Sequence, residues 1–114
     1  MIEPGQIVLF RFPQTNLQEG KMRPALLLAK VPGRFDDWLV CAISTQLHQY
    51  IPDFDEIIRE SDDDFSGSGL KAESLFRIGR LGVLDANIFE GAIGHINPER
   101  LRHIRSKLSA WISE

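Results

Sequence analysis

Two short polar segments border apolar stretches and carry the residue types best suited to chemistry. Lys21 and Arg23 end a long polar loop and lead directly into an apolar run, and Ser44-Thr45-Gln46 closes another apolar run. An arginine guanidinium holds a phosphate through two parallel hydrogen bonds, and its high pKa makes it a poor base. A serine hydroxyl donates a hydrogen bond but is no base by itself. His48 follows closely, and a histidine side chain is a candidate acid or base near neutral pH.

Each of these residues also has a purely structural interpretation. Arg23 can be a surface arginine that pairs with an acidic neighbour such as Glu19, and the segment 44–46 can cap the end of a strand. His48 can be an exposed loop histidine. The residue types alone leave both interpretations open.

Three common kinds of active site find no support in the sequence. His48, His95 and His103 lie far apart and are not joined by a cysteine cluster or by carboxylates at the spacing of metal ligands. Segment 79–82 lacks the glycine spacing of a phosphate-binding or dinucleotide-binding loop. The serines of segment 66–69 lie outside any Gly-x-Ser-x-Gly pattern. The sequence therefore predicts neither a metal site nor a cofactor.

The spacing of apolar residues predicts a mainly β chain. Residues 6–12 alternate with the period of two that is typical of a strand. Further strands are predicted at residues 25–29, 38–44, 55–59 and 74–81 and within 88–96. The polar loop 13–22 is expected to be mobile in the absence of a ligand. Residues 61–69, which are acidic and then rich in Gly and Ser, are predicted to form a flexible loop.

The last part of the chain predicts a helix that packs on the sheet. Asn97-Pro98-Glu99 supplies an N-cap, a proline for the first turn and an acidic residue near the start of the helix. Apolar residues then recur at three- and four-residue spacing, at Leu101, Ile104, Leu108, Trp111 and Ile112. The basic residues are expected on or beside the solvent face: Arg100, Arg102, Arg105 and Lys107. Glu99 and His103 are expected to form only a surface pair.

Size and composition favour one ordinary globular domain. The chain has 114 residues, of which 43% are hydrophobic and 25% charged. Its net charge of -3 argues against broad phosphate-driven binding, although much of the acidity lies in residues 60–64. Apolar runs of about five residues are far shorter than the roughly 20 that cross a bilayer, and the amino terminus does not resemble a signal peptide. A cytoplasmic location without membrane contact is expected. Cys41, the only cysteine, is predicted to be a buried structural thiol.

Five segments follow one another along the chain in a recognisable order. They are residues 5–13 (GQIVLFRFP), 23–28 (RPALLL), 42–46 (AISTQ), 70–75 (LKAESL) and 93–101 (IGHINPERL). In this order and spacing they closely resemble the MazF/PemK toxins of bacterial toxin-antitoxin pairs. The resemblance covers essentially the whole chain.

The resemblance implies a fold, partners and a reaction. It implies a small SH3-like barrel with a C-terminal helix, a homodimer, a small cognate antitoxin and metal-free cleavage of single-stranded RNA by the ribose 2'-OH. Arg23 would stabilise the charge that develops on the scissile phosphate, and the hydroxyl of Ser44 would hydrogen-bond that phosphate. Thr45 and Gln46 flank the site, and Lys21 would contact the RNA.

The sequence departs from the family pattern after Ser74. Where the family commonly carries an acidic residue and a glutamine followed by a basic residue, this chain has Gly79, Arg80 and Gly82. A second catalytic cation is therefore in doubt. Arg77 and Arg80 are candidates, although a regular strand would place them on opposite faces. This departure and the acidic loop leave a second hypothesis open, namely a non-catalytic module that holds an antitoxin peptide or another protein.

Overall fold

The fold is that of a computed structural model, which describes residues 2–11 and 21–114. The expected mobility of the loop before Met22 falls almost entirely outside the described residues. So do Phe12, the predicted end of the first strand, and Glu19, the suggested partner of Arg23.

Six antiparallel strands form one sheet, in the order β4-β5-β3-β2-β1-β6. The strands are β1 (Gln6–Arg11), β2 (Met22–Lys30), β3 (Asp37–Ser44), β4 (Glu56–Ile58), β5 (Ser74–Asp85) and β6 (Phe89–His95). The helices are a single turn α1 (Phe65–Ser68) and the C-terminal α2 (Pro98–Ile112), with 3-10 turns at Leu47–Gln49 and Ala86–Ile88. The predicted mainly β fold with a C-terminal helix is confirmed.

Both faces of the sheet are buried over much of its area. Along β2, Leu26 and Leu28 belong to a core that includes α2, whereas Ala25 and Leu27 belong to a second core on the other face. The first core also holds Ile7, Cys41, Ile43, Ile58, Phe76, Ile78, Ile96, Ile104 and Leu108. The second holds Val8, Phe10, Trp38 and Val40. The apolar run in the middle of β2 follows from this double burial, because both faces of the strand are covered between Ala25 and Leu28.

Strand β5 is longer than predicted and contains a bulge. Arg77 pairs with Ala42, but the next pair is Leu81 with Cys41, so residues 78–80 are extra on the β5 side. A Cβ atom on Gly79 would lie 3.2 Å from Phe54 Cε2, so a larger residue here would require the Phe54 ring to shift. The period of two is lost across the bulge. The alternation that would place Arg77 and Arg80 on opposite faces of a regular strand therefore does not apply across the bulge.

Helix α2 begins as predicted. Asn97 Oδ1 accepts a hydrogen bond from the backbone N–H of Arg100 at 2.7 Å, and Pro98 occupies the first turn. Ile104 and Leu108 are buried in the first core. The end of the apolar stripe is exposed, however: Trp111 is 44% and Ile112 is 66% accessible. The expectation that the whole stripe packs on the sheet is wrong for Ile112, whereas Trp111 still packs edge-to-face on Phe54, with the ring centroids 5.3 Å apart.

Arg100 does not lie on the solvent face as expected. Its side chain is only 13% exposed, and all five N–H donors of its guanidinium are used. Nε and Nη2 donate to the two oxygens of Asp64 at 2.8 and 3.1 Å, and Nη2 also donates to Asp62 at 3.0 Å. Nη1 donates to Glu56 Oε1 and to the carbonyl of Ile57, both at 3.2 Å. We call Arg100 with these three carboxylates the Arg100 network.

The Arg100 network joins the two edge strands of the sheet. Glu56 belongs to β4, and Asn97, just beyond β6, donates its backbone N–H to Asp64 Oδ2 at 3.1 Å. The second oxygen of Glu56 lies 3.1 Å from His103 Nδ1 and 3.7 Å from Lys107 Nζ, in electrostatic contacts rather than aligned hydrogen bonds. His103 thus faces Glu56 rather than forming only the expected surface pair with Glu99. The network therefore links β4 to the start of α2, directly after β6.

Segment 61–69 is not the flexible loop that its composition predicts. Its helical turn α1 lies directly against β6, with backbone meeting backbone. A Cβ atom on Gly94 would collide with the carbonyl of Gly67, and one on Gly69 would collide with that of Ile93. Gly69 also has a φ of 74°, in the left-handed region. The glycines permit close packing here, and the acidic residues before them bind Arg100.

Candidate functional site

One face of the sheet brings together the two segments singled out in the sequence. Ala25 pairs with Ala42, and Ala42 pairs with Arg77, so these three residues form a row across β2, β3 and β5 with their side chains on one face. Side chains two residues apart along a strand share a face. Arg23 and Ser44 therefore lie on the same face as Arg77. We call Arg23, Ser44 and Arg77 the arginine-serine face.

Ser44 lies between the two arginines. Its strand, β3, is flanked by β5 and β2, and the register of Ala25 with Ala42, continued by two residues, sets Arg23 across from Ser44. Neighbouring strands are about 4.8 Å apart and residues rise about 3.3 Å, so the backbones of Arg23 and Arg77 are on the order of 12 Å apart. Two long side chains at this separation can converge on one phosphate.

Arg23 belongs to strand β2 rather than to the loop before it. It pairs with Phe10 of β1, which extends β2 beyond the predicted start at residue 25. Its side chain is exposed, and within the described residues it has neither an ion pair nor a hydrogen bond. Lys21, just before the strand, is also exposed and has no partner in that part of the chain. Arg23 is thus a cation with its donors available.

The Ser44 hydroxyl caps the end of its strand and also keeps its own proton available for a hydrogen bond. Its Oγ accepts a hydrogen bond from the backbone N–H of Gln46 at 3.0 Å, which is the expected strand-end cap. Its own proton has no acceptor among the residues that the structure describes, so it remains available to donate outward. Thr45 and Gln46 are exposed immediately after it. His48 is exposed in the 3-10 turn Leu47–Gln49 that follows.

Arg77 makes a contact that the sequence does not indicate. Its Nη1 donates to Gln49 Oε1 at 3.0 Å, which links β5 to the 3-10 turn after Ser44. The two residues are 28 positions apart in the chain, and nothing in the local sequence marks Gln49 for this role. The structure therefore brings Arg23, Ser44 and Arg77 to one face and adds Gln49 beside them.

A family model described as PemK-like, MazF-like toxin of type II toxin-antitoxin system matches residues 3–112. The chain belongs to this family. A search of curated proteins found no match.

The departure from the common PemK/MazF pattern coincides with the β5 bulge. Gly79 and Arg80 are part of the bulge itself, and Gly82 comes two residues after it. Arg80 is exposed and forms no ion pair within the described ranges. Of the two arginines proposed as a second cation of this toxin, the pairing of the strands assigns Arg77 to the face that bears Ser44.

The other residues considered as reactive groups have structural roles or lie apart. Cys41 is fully buried, and burial first, with the charge of Asp55 second, raises the pKa of its thiol to about 12. The predicted burial of this thiol is confirmed. Among residues 2–11 and 21–114, no three His, Cys, Asp or Glu side chains are grouped as metal ligands. None of the helices described is long and apolar enough to cross a membrane.

Proposed function

We propose that this toxin is an endoribonuclease that cleaves single-stranded RNA without a metal. The observation that carries the proposal is the arginine-serine face, on which two arginines flank a serine hydroxyl and Arg23 has no counter-ion within the described residues. Two cations and a donor on a sheet face suit a phosphate that gains negative charge during reaction. Membership of the PemK/MazF family supports the same reading.

In this mechanism the ribose 2'-OH attacks the adjacent phosphorus. The O2'–P bond forms, the P–O5' bond breaks, and the proton lost by the 2'-OH is balanced by one gained by the leaving oxygen. Arg23 stabilises the charge on the non-bridging oxygens and is the candidate donor to the leaving oxygen, and Ser44 donates a hydrogen bond to the phosphate. His48 is the candidate proton carrier. Lys21, Thr45 and Gln46 border the site as RNA contacts.

The acidic loop gives less support to a non-catalytic binding module than the sequence suggested. Asp62 and Asp64 are engaged by Arg100, so they are internal counter-ions rather than a free acidic surface. The glycine in the departing segment fits the packing of the bulge against Phe54. The acidic loop thus has a structural explanation, whereas a Cβ atom on Gly82 would meet nothing within 4 Å, so packing does not account for that part of the departure.

We also propose that two copies of the chain pair through an exposed apolar surface. Val83 is 57% exposed and pairs with Leu39, which together with Ile112 lines a cleft at the end of α2. Leu81 and Trp111 are also exposed. Such a surface is costly to leave in water, and a stable interface needs about 800 Å² from each partner. A strictly monomeric mass at micromolar concentration contradicts the proposal.

Two further parts of the proposal follow from the family. The toxin acts in the cytoplasm, where its RNA substrate is found, and a small cognate antitoxin neutralises it. A short reading frame next to its gene that encodes such a protein would support the antitoxin, although it would not establish catalysis.

The decisive experiment is incubation of the purified, antitoxin-free protein with a mixed RNA substrate in EDTA. The expected result is cleavage, with 2',3'-cyclic phosphate or its hydrolysis product at the new ends. Binding without cleavage would favour the non-catalytic module. Cleavage only after a divalent cation is added would contradict the metal-free mechanism.

A further inference from the structure

Arg77 is held by a neutral group. The side-chain contact that the structure gives its guanidinium is the hydrogen bond to Gln49 Oε1, and it forms no ion pair within the described residues. Arg77 is half-buried and fixed in β5, whereas Gln49 is exposed at the end of the 3-10 turn. The Gln49 amide therefore contacts Arg77 from the 3-10 turn that directly follows the polar segment 44–46.

Three of the other arginines are held by carboxylates, whereas Arg105 donates to the backbone carbonyl of Leu28. Arg59 lies 3.5 Å from Glu73, Arg11 lies 3.1 Å from Glu90, and Arg100 contacts three acidic residues. A carboxylate partner fixes a guanidinium and also cancels its charge. An amide oxygen accepts one N–H and fixes the direction of the group, but it leaves the positive charge and four N–H donors uncompensated.

We propose that Gln49 is a positioning residue that holds Arg77 beside Ser44 as the second cation of the RNA site. This inference rests on the proposed ribonuclease function. The sequence departure after Ser74 left the second catalytic cation in doubt. On this proposal the second cation is Arg77, which lies on β5 just before the bulge. The site then has one cation on each side of the hydroxyl, and a neutral amide keeps one of them oriented without neutralising it.

The test compares Gln49→Glu with Gln49→Ala. If Gln49 only fastens the turn to β5, glutamate keeps or strengthens the contact, and the variant should cleave RNA as the wild type does. If Gln49 holds an active cation, glutamate neutralises it. We expect Gln49→Glu to keep the thermal midpoint of the wild type but to lose about tenfold or more in kcat/KM, a loss on the scale of a weakened transition-state donor. Gln49→Ala should lose less.

A second readout is the salt dependence of binding to a short single-stranded RNA. Each phosphate contact contributes about 0.7 to the slope of log affinity against log salt concentration for single strands. We expect Gln49→Glu and Arg77→Gln to reduce this slope by about the same amount, roughly one contact. The double variant should be no worse than Arg77→Gln alone, because both changes remove the same interaction.

The matched control is Asn87→Asp, which adds one negative charge at the opposite end of β5, where Asp85 pairs with Asp37. It should cleave and bind as the wild type does. Wild-type activity in Gln49→Glu, an equal loss in Asn87→Asp, or a loss that persists on top of Arg77→Gln would overturn the inference. A wild-type protein that cleaves no RNA would instead overturn the proposed function, which separates the two failures.

Discussion

Arg100 and Arg23 carry the same guanidinium in opposite settings. Arg100 starts the helix that covers one face of the sheet, and its five donors are all engaged by three carboxylates and a carbonyl. Arg23 shares the other face with Ser44 and Arg77 and is unpaired among the described residues. An arginine with every donor engaged can only fasten the fold, whereas an unpaired arginine can bind an anion. Substitutions at the two positions should therefore separate stability from activity.

The largest effect is expected at Arg100. Arg100→Ala leaves Asp64, which is 6% exposed, and Glu56 without their main cation, and a buried charge that loses its partner costs about 3 kcal/mol or more. The measurement is the free energy of unfolding in urea. Arg102→Ala is the matched control, since Arg102 is an exposed arginine of the same helix. Equal stability of the two variants would show that the Arg100 network does not stabilise the fold.

Arg23→Ala should have the opposite effect, on RNA cleavage rather than on stability. The fold should keep its stability, because the side chain has no described partner to lose, while RNA cleavage falls by a factor on the order of 10² to 10³. Arg23→Lys should retain binding better than turnover, because an ammonium keeps the charge but lacks two-pronged geometry.

Arg34→Ala serves as the control for Arg23→Ala. Arg34 lies in the turn between β2 and β3, at the far end of the same hairpin, and its guanidinium rests 5.0 Å from the centre of the Phe35 ring. Cleavage should be unchanged in this variant. Full activity of a correctly folded Arg23→Ala protein would remove Arg23 from the mechanism and direct attention to Arg77, Arg80 or His48.

Ser44→Ala should give a smaller loss of activity than Arg23→Ala. The variant loses one hydrogen bond from an uncharged donor to the phosphate, whereas Arg23→Ala removes a positive charge and a two-pronged contact, so a decrease of only about tenfold is expected. It also loses the cap on the Gln46 N–H, at a stability cost of about 1 kcal/mol. Single-turnover cleavage and urea unfolding measure the two effects separately. A loss as large as that of Arg23→Ala would indicate that Ser44 does more than donate a hydrogen bond.

The smallest expected effect is a loss of folding stability at acidic pH. Burial by itself raises the pKa of Asp64, but its hydrogen bonds from Arg100 and from the Asn97 N–H outweigh burial and bring the pKa below its ordinary value of 3.8. A carboxyl group whose pKa is lowered by folding stabilises the fold above the unfolded-state pKa, and this contribution disappears as pH falls through the folded-state pKa. Stability should thus drop below about pH 4 in the wild type.

Urea midpoints at pH 3 and pH 6 test this pH dependence. Asp64→Asn should be less stable than the wild type at pH 6 and should lose less on acidification. Asp63→Asn, at an exposed neighbouring position, should follow the wild type. If Asp64→Asn and the wild type fall in parallel, the acid sensitivity comes from other groups.

The sequence by itself determined the features that depend on neighbours along the chain. The N-cap at Asn97 and the apolar spacing that follows predicted α2, because capping and helical periodicity act within a few residues. The alternation in residues 6–12 predicted β1 in the same way. Arg23 and Ser44 were found from their residue types, their places at the borders of apolar runs and the resemblance to a family.

Only the tertiary structure decided which distant groups meet. The partners of Arg100 lie 36 to 44 positions away, and Gln49 reaches Arg77 across 28 positions, so no local pattern could indicate either contact. The bulge in β5 broke the period from which the faces of Arg77 and Arg80 were predicted. Sheet register and the balance of charge around each arginine arise from strand pairing and packing between distant segments. For that reason the sequence alone identified the arginines as candidates. The fold then distinguished Arg100, which is engaged by carboxylates, from Arg23 and Arg77, which are available to bind a phosphate.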